Sequence, residues 1–174
     1  EPHSLVHALF FATILYHLRR EEQMSLEHAE AAIAVSAEHG LTMYQAMATI
    51  ARGWALIEQG QDQAVEQMRE GLAAYQATGT ELLRPHFLAL QARSLGKARQ
   101  PEEGLRELEK SLEAAHHSGD ASYLAELYRL KGELLLMQAK DRRVSRTAMG
   151  GKASVDSEPS AISQAESCFN QSIK

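Results

Sequence analysis

Three glycines recur along this chain at a nearly constant spacing, each directly after a stretch with the pattern of an amphipathic helix. They are Gly40, Gly79 and Gly119, at successive spacings of 39 and 40. Glycine is favoured just beyond a helix because it adopts the left-handed backbone that ends the helix without steric cost. A period of this length accommodates two helices and two turns, so the chain is predicted to fold as repeated helical hairpins.

The second helix of each hairpin has a recurring pattern of small and large residues. A small residue is followed by a large apolar residue four positions later and by a small one three positions after that. The copies are Ala29-x-x-x-Ile33-x-x-Ser36, Ala64-x-x-x-Met68-x-x-Gly71, Gly104-x-x-x-Leu108-x-x-Ser111 and Ala165-x-x-x-Phe169-x-x-Ser172. These positions share one face of a helix, where small residues let a neighbouring helix approach closely. The pattern resembles the second helix of the tetratricopeptide repeat.

The first helices repeat as well, with matching segments Gly53-x-x-Leu56, Ala92-x-x-Leu95 and Gly132-x-x-Leu135. The sequence shows no sustained two-residue alternation of the kind that predicts strands. The predicted helices are 3–22, 25–39, 42–59, 62–77, 82–98, 101–117, 121–140 and 160–174. The fold class is therefore all-α: an α-solenoid of about four tetratricopeptide-like helix–turn–helix repeats, with eight helices in a right-handed superhelix.

Helix starts are predicted from polar residues that can cap free backbone N–H groups, and from prolines suited to a first turn. The capping residues are Ser25, Thr42 (in a capping box with Gln45), Asp62 and Asp120. The first-turn prolines are Pro85, Pro101 and Pro159.

The whole chain, 1–174, is predicted to be a single repeat domain. Its repeats are about 3–40, 41–79, 80–119 and 120–174. The segment 141–159 reads DRRVSRTAMGGKASVDSEP, which is basic and then rich in glycine and serine. Such a composition cannot bury a core, so we expect a flexible insertion within the last repeat.

Three segments resemble one particular family. They are Arg52–Gln61 (RGWALIEQGQ), Gln100–Leu105 (QPEEGL) and Leu130–Leu136 (LKGELLL). They are similar to the C-terminal repeat region of large bacterial signalling proteins, which join a class III adenylate/guanylate cyclase-like or winged-helix domain to an AAA-related signal-transduction ATPase. The resemblance covers about 5–140 and 161–174. It implies a regulatory, scaffolding or sensor region of a larger cytoplasmic ATPase whose catalytic motifs lie outside this segment.

The chain departs from the standard tetratricopeptide consensus in two respects. The spacings of 39 and 40 between its glycines exceed the usual period of about 34. Arg52, Gln91 and Lys131 also stand where the consensus has leucine.

Charge and hydropathy exclude several kinds of partner. The net charge of −5 provides no basic surface for nucleic acid. The longest apolar run extends only from Val6 to Leu18, whereas a membrane span needs about 20 residues. We therefore expect no nucleic-acid partner and no membrane insertion, and the single cysteine, Cys168, fits a reducing, cytoplasmic location.

Candidate chemical groups have simpler structural explanations. His3 and His7 have the spacing of a metal clamp, but zinc needs two more ligands and Glu1 is the only obvious local candidate, so a polar stripe at the helix start is the simpler explanation. Glu102 with Glu103 suits a helix start. Cys168 is expected to pack in the core, and Lys152 lacks the glycine and the strand of a phosphate loop. The Arg142-Arg143-Val144-Ser145 segment resembles a kinase target. No catalytic residue, cofactor or metal is predicted, so the segment is not expected to be an enzyme.

A protein-binding groove is predicted along the first helices, which line the concave face of tetratricopeptide arrays. Its candidate residues are Met47, Ile50, Trp54, Glu58, His86, Arg93, Lys97, Glu126, Arg129 and Glu133. Tryptophan and arginine dominate interface energetics, but Trp54 suits core packing equally well and the charged column also suits a solvated face. An extended or helical peptide is the expected ligand.

Function is accordingly predicted as a protein-interaction or sensor module that binds a protein or peptide partner, or other domains of the same polypeptide. The alternative is self-assembly into a homo-oligomer through exposed repeat ends. That alternative centres on the first helix, with the apolar residues Leu5, Leu9, Phe10 and Ile14.

Overall fold

A computed structural model of the chain describes residues 1–118, 123–148 and 158–173. Within these ranges the chain forms eight α-helices and no strand. The helices are α1 (Pro2–Leu18), α2 (Glu22–Glu38), α3 (Thr42–Glu58), α4 (Ala64–Ala77), α5 (Arg84–Lys97), α6 (Pro101–Ser118), α7 (Leu124–Ala148) and α8 (Glu158–Ser172). The all-α prediction is confirmed over that part of the chain.

The helices group into two compact units, Glu1–Phe87 and Leu88–Lys174, and α5 begins in the first unit and continues into the second. In unit 1, α1 packs on α2, α2 on α3 and α3 on α4, and α1 also contacts α3. In unit 2, α6 packs on α7 and α7 on α8. Helices that are consecutive in sequence are thus neighbours in space, as short connections favour. None of the helices described is long and apolar enough to cross a membrane.

The predicted glycine terminators have left-handed backbone where the structure describes them. Gly40 has φ of 65° after α2, and Gly79 has φ of 72° after α4. Gly119 lies outside the described residues, as does the predicted capping residue Asp120. The two glycines therefore end the second helix of their hairpins as the period predicted.

Small residues mark equivalent positions on the first helices, where each lies against the second helix of its own hairpin. On the first helices these are Thr13, Gly53, Ala92 and Gly132, at spacings of 40, 39 and 40. On the second helices the matching small residues are Ser25, Ala64, Gly104 and Ala165. In the first hairpin, the Ser25 hydroxyl donates a hydrogen bond to the Thr13 carbonyl at 3.0 Å.

The other hairpins make the same approach without hydrogen bonds. A Cβ on Gly53 would lie 3.1 Å from the Ala64 carbonyl oxygen, and one on Gly104 would lie 2.7 Å from the Ala92 carbonyl oxygen. The ring of Phe169 takes the equivalent place over Gly132, 2.7 Å from the site of a Cβ. Side chains larger than these would push the paired helices apart.

The sequence alignment of the first hairpin was wrong by one helical turn. It matched Ala29 with Ala64, and it treated Ser25 as a helix cap. In the structure Ser25 lies inside α2, is buried, and takes the small position. Its spacing to the terminating Gly40 also equals the spacing from Ala64 to Gly79. Serine suits caps better than helix interiors, so its capping propensity misled the alignment.

Two further capping predictions were wrong as well. Thr42 is already the first helical residue of α3, and α4 begins at Ala64, two residues after Asp62. Neither helix has a side-chain cap hydrogen bond. Backbone carbonyls of the preceding turns take that role: the Thr42 N–H donates to Gly40 at 3.1 Å, and the Ala64 N–H donates to Gln61 at 2.9 Å. The tight turns thus satisfy N–H groups that otherwise require a polar cap.

Prolines were predicted correctly, since Pro85, Pro101 and Pro159 fall in the first turns of α5, α6 and α8. The predicted insertion 141–159 begins later than expected, because α7 continues to Ala148 and Glu158 already belongs to α8. Its middle part, 149–157, lies outside the described residues.

Two equivalent ion pairs join a first helix to the second helix of the preceding hairpin. Arg52 of α3 bonds Glu30 of α2 at 3.1 Å, and Lys131 of α7 lies 3.6 Å from Glu109 of α6. The two cations are separated by two repeat periods, and so are the two carboxylates. These pairs explain why two of the three positions that depart from the leucine consensus have cations.

Candidate protein-binding surface

Three of the predicted groove residues are core residues of unit 1. Met47, Ile50 and Trp54 are each at most 5% exposed. The Trp54 ring lies against the His17 ring, with centroids 3.2 Å apart. Ile50 fits against Gly71, where an added Cβ would lie 2.9 Å from the Ile50 Cγ1. These side chains pack against neighbouring helices and do not line an open groove, so core packing is the correct interpretation of Trp54.

The other two predicted groove residues of unit 1 are half-buried. They are Glu58 at the end of α3 and His86 near the start of α5. Burial lowers the pKa of His86 from its ordinary value to about 4, because the charged imidazolium loses hydration. His86 is therefore neutral at physiological pH.

The remaining groove candidates belong to unit 2. Lys97 is exposed and Arg93 is half-buried, both on α5. On α7, the half-buried Arg129 guanidinium donates two hydrogen bonds of 2.6 Å to the Glu126 carboxylate and also pairs with Glu133. These hydrogen bonds, chiefly those to Glu126, raise the pKa of Arg129 further. The α7 charges are thus satisfied by each other along one helix, which leaves little to attract a charged ligand.

Helix α1 presents an apolar face that the groove prediction missed. We call the residues Leu5, Ala8, Phe11, Leu15 and Leu18 the exposed α1 face. Leu5 is 51% exposed, Phe11 48%, Leu15 55% and Leu18 73%. At 100° per residue the five positions fall within an arc of about 140°. Exposed Ser4 lies within the same arc and exposed His7 at its edge, and the opposite side of the helix, which includes Val6 and Phe10, is buried.

The first helix had been expected to expose Leu5, Leu9, Phe10 and Ile14, and the structure confirms only Leu5. Phe10 is buried, and Leu9 and Ile14 are half-buried. A signal for the full face was present in the sequence: no Asp, Glu, Lys or Arg occurs between Pro2 and Leu18. A helix without charges is normally buried on all sides.

A cleft of about 630 Å³ lies in unit 2 between the start of α6 and the C-terminal half of α7. The Arg142 guanidinium spans it to the Glu102 carboxylate at 2.9 Å, and the Gln138 amide donates to the same oxygen at 3.2 Å. These bonds lower the pKa of Glu102. Arginines and carboxylates are equally represented in its lining, so the cleft favours neither anions nor cations.

Other candidate groups have structural partners. The His7 Nδ1 lies 3.1 Å from the Tyr44 hydroxyl, and the His3 ring packs edge-on against the Tyr44 ring. Cys168 is buried, and Ser145 is exposed on α7. Lys152 lies outside the described residues. Across the residues that the structure does describe, no group of three or more His, Cys, Asp or Glu side chains could hold a metal ion.

The chain was compared with models of protein families, with curated protein sequences and with solved structures, and none of them matches it.

Proposed function

We propose that this chain is a protein-binding module that acts through the exposed α1 face. The observation that supports this function best is the apolar character of that face, on a helix with no Asp, Glu, Lys or Arg. A contiguous row of large apolar side chains exposed on a folded protein is typical of an interaction site. An occupant that covers it gains hydrophobic free energy without having to desolvate a charge.

A tetratricopeptide-like array is the arrangement we propose for the helices. The small residues that recur at spacings of 39 and 40 on the first helices support it, as do the equivalent ion pairs Arg52–Glu30 and Lys131–Glu109. We further propose that the module is cytoplasmic and regulates a larger bacterial signal-transduction ATPase, on the strength of the sequence resemblance. A full-length gene product without a phosphate-loop ATPase motif would contradict that last assignment.

Binding through α1 can be tested with a displayed library of random peptides as long as a typical helix. The library is selected on the full chain, and the recovered peptides are then measured in solution against two variants. Leu15→Glu places a charge in the exposed α1 face, whereas Leu82→Glu changes a leucine between α4 and α5 that is more exposed still (75% against 55%). We expect peptides that bind at least tenfold more weakly to Leu15→Glu and equally well to Leu82→Glu. If every recovered peptide binds both variants alike, the proposal is wrong.

Self-assembly is the second candidate function, since the same face could pair with a second copy. The other end of the helix series offers no match for it, because the exposed side of α8 is mostly polar. Among the α8 positions whose burial the structure describes, the exposed residues are Ser160, Ile162, Ser163, Gln164, Glu166, Ser167, Asn170 and Gln171. Self-association would therefore require two α1 helices to pair with each other. Light scattering decides this: a dimer that Leu15→Glu dissociates supports assembly, and a monomer at all concentrations excludes it.

A further inference from the structure

The repeat provides internal templates for what covers the exposed α1 face. The equivalent helix positions one repeat later, in α3, are Gln45, Ala48, Ala51, Ala55 and Glu58. Three repeats after α1, in α7, they are Leu124, Leu127, Leu130, Leu134 and Met137. The three central positions are buried in both helices. Among these three helices, only α1 has its three central positions exposed to solvent.

In both templates the second helix of the preceding hairpin covers this face, and buried residues of the first helix of that hairpin (Val6 of α1, Ala89 and Ala92 of α5) join the same cluster. In unit 1, Ala48 of α3 belongs to one buried cluster with Ala32 of α2. In unit 2, the α7 leucines form one buried cluster with three residues of α6, which are Leu108, Leu112 and Ala115. The face of α1 is leucine- and phenylalanine-rich, so it resembles the α7 template more closely than the alanine face of α3.

The α1 face differs from both templates in the residue type at one neighbouring position. Arg52 and Lys131 border the covered faces of α3 and α7 and pair with Glu30 and Glu109 of the covering helices. The equivalent residue of α1 is Ala12, which cannot form an ion pair. In both templates this glutamate stays at least half exposed, with 50% for Glu30 and 62% for Glu109. On a helix that covers α1 it would lie in solvent without an ion-pair partner, whereas an apolar residue there could contact Ala12.

We infer that the exposed α1 face binds an amphipathic α-helix of a partner protein, docked as α6 docks on α7, with an uncharged residue where α6 has Glu109. This inference rests on the proposed function, because it specifies the partner of the same face. The partner helix presents an α6-like stripe, in which apolar residues recur at alternating spacings of three and four. Its opposite face is free to be charged.

The probe for this inference is a synthetic peptide with the sequence of residues 101–117. A hydrocarbon staple between positions 106 and 110, both exposed in α6, keeps the short peptide helical, since isolated helices of this length are marginal in water. A second peptide has the change Glu109→Leu, and a third has Glu109→Leu with Leu112→Glu in its apolar stripe. Each peptide is fluorescently labelled and titrated with the full chain.

We expect saturable one-to-one binding of the Glu109→Leu peptide, at least fivefold tighter than that of the unmodified sequence. Leu112→Glu in the peptide and Leu15→Glu in the chain should each weaken binding at least tenfold, and Leu82→Glu in the chain should not. Circular dichroism of each chain variant checks that it remains helical. Absence of binding, or equal binding to the Leu15→Glu chain, overturns the inference.

The outcomes also separate this inference from the proposed function. If library peptides depend on Leu15 but the α6-like helix does not bind, the module binds proteins and the helical partner is wrong. If light scattering shows a dimer that Leu15→Glu dissociates, a second copy occupies the face and the inference is again wrong. A monomer that binds the Glu109→Leu peptide through α1 supports both.

Discussion

Left-handed backbone ends the first helix of three hairpins, but only one of these positions has a glycine. Arg20, Gly60 and Arg99 have φ values of 61°, 86° and 59°. In each case the next residue's N–H donates to a carbonyl five residues back, for example from Glu21 to Tyr16 at 2.9 Å. This bond pattern is the Schellman helix ending. The arginines adopt it although a Cβ makes this backbone unfavourable by about 1 kcal/mol or more.

Replacing Arg20 with glycine should therefore stabilise the chain. Arg20→Gly relieves the left-handed strain in the folded state, and the greater freedom of glycine in the unfolded state offsets part of the gain. We expect a net increase of about 0.5–1 kcal/mol in the free energy of unfolding. The measurement is urea denaturation followed by circular dichroism. The matched control is Arg19→Gly, since Arg19 has an ordinary φ of −81° and should gain nothing; equal effects would refute the strain argument.

Stability should depend on pH through His86. The pKa of this histidine is about 4 in the folded chain, whereas an unfolded histidine titrates near about 6.5. Between these values the unfolded state binds more protons, so the stability falls as the pH is lowered. The effect should amount to about 2 kcal/mol between pH 7 and pH 5.

The variant His86→Gln isolates this effect from the titration of carboxylates. Glutamine has no titratable group, so the urea midpoint of the His86→Gln variant should change less than that of the wild type over the same pH range. The difference between wild type and variant is the contribution of His86. Parallel pH profiles for the two proteins would mean that His86 is protonated as easily in the folded chain as in the unfolded one.

At the scale of helices, close approach depends on small residues whose neighbours are backbone atoms. A Cβ on Gly104 would lie 2.7 Å from the Ala92 carbonyl oxygen, so α5 and α6 would have to separate. A Cβ on Gly96 would meet only the movable end of the Leu134 side chain and, farther off, the Met137 sulfur. The two glycines thus differ in how their surroundings can respond to an added methyl group.

Gly104→Ala should therefore destabilise the chain, although alanine favours helix. Overpacking costs about 1–3 kcal/mol, and the better helix propensity returns only about 1 kcal/mol. Gly96→Ala should change the stability by less than about 1 kcal/mol, because Leu134 can change rotamer. Thermal denaturation of both variants gives the comparison. A Gly104→Ala protein as stable as wild type would show that α5 and α6 can shift freely.

Sequence reasoning identified these helices well because the evidence for each was local. Amphipathic spacing and glycine terminators placed the helices within a few residues, except at the end of α1 and beyond 140 in α7. The capping predictions failed because backbone carbonyls of tight turns took the place of side chains. The alignment of the first hairpin was wrong because serine is a typical capping residue, whereas Ser25 packs inside α2 against the backbone of α1.

The candidate site was harder to predict than the helices, for a physical reason. Periodicity shows which residues share a face, but it does not show which faces are covered by other helices. Trp54 was therefore placed in a groove although it is buried, and Phe11 was not chosen although it is 48% exposed. The absence of charge from α1 was the available signal, and it indicates burial rather than the nature of the occupant.

For the whole molecule, the helices contact mainly their neighbours in sequence, so the stability of each hairpin should depend mainly on its own contacts and those with the next hairpin. The contacts among α1, α2 and α3 lie within unit 1, and those among α6, α7 and α8 lie within unit 2. In a repeat array the stability is nearly a sum of repeat and nearest-neighbour contributions. A core mutation in one hairpin should then loosen that hairpin and its neighbour first.

Val6→Ala tests this expectation, and it also tests the proposed array. Val6 is fully buried and packs with Ala32 and Ala48, so its truncation should cost about 2 kcal/mol. We expect native-state hydrogen exchange to become faster in α1, α2 and α3 and to stay unchanged in α7 and α8. Leu130→Ala, in the buried cluster of unit 2, should have the reverse effect. If either variant accelerated exchange equally in all helices, the chain would unfold as one cooperative globule, and the nearest-neighbour array would be the wrong description.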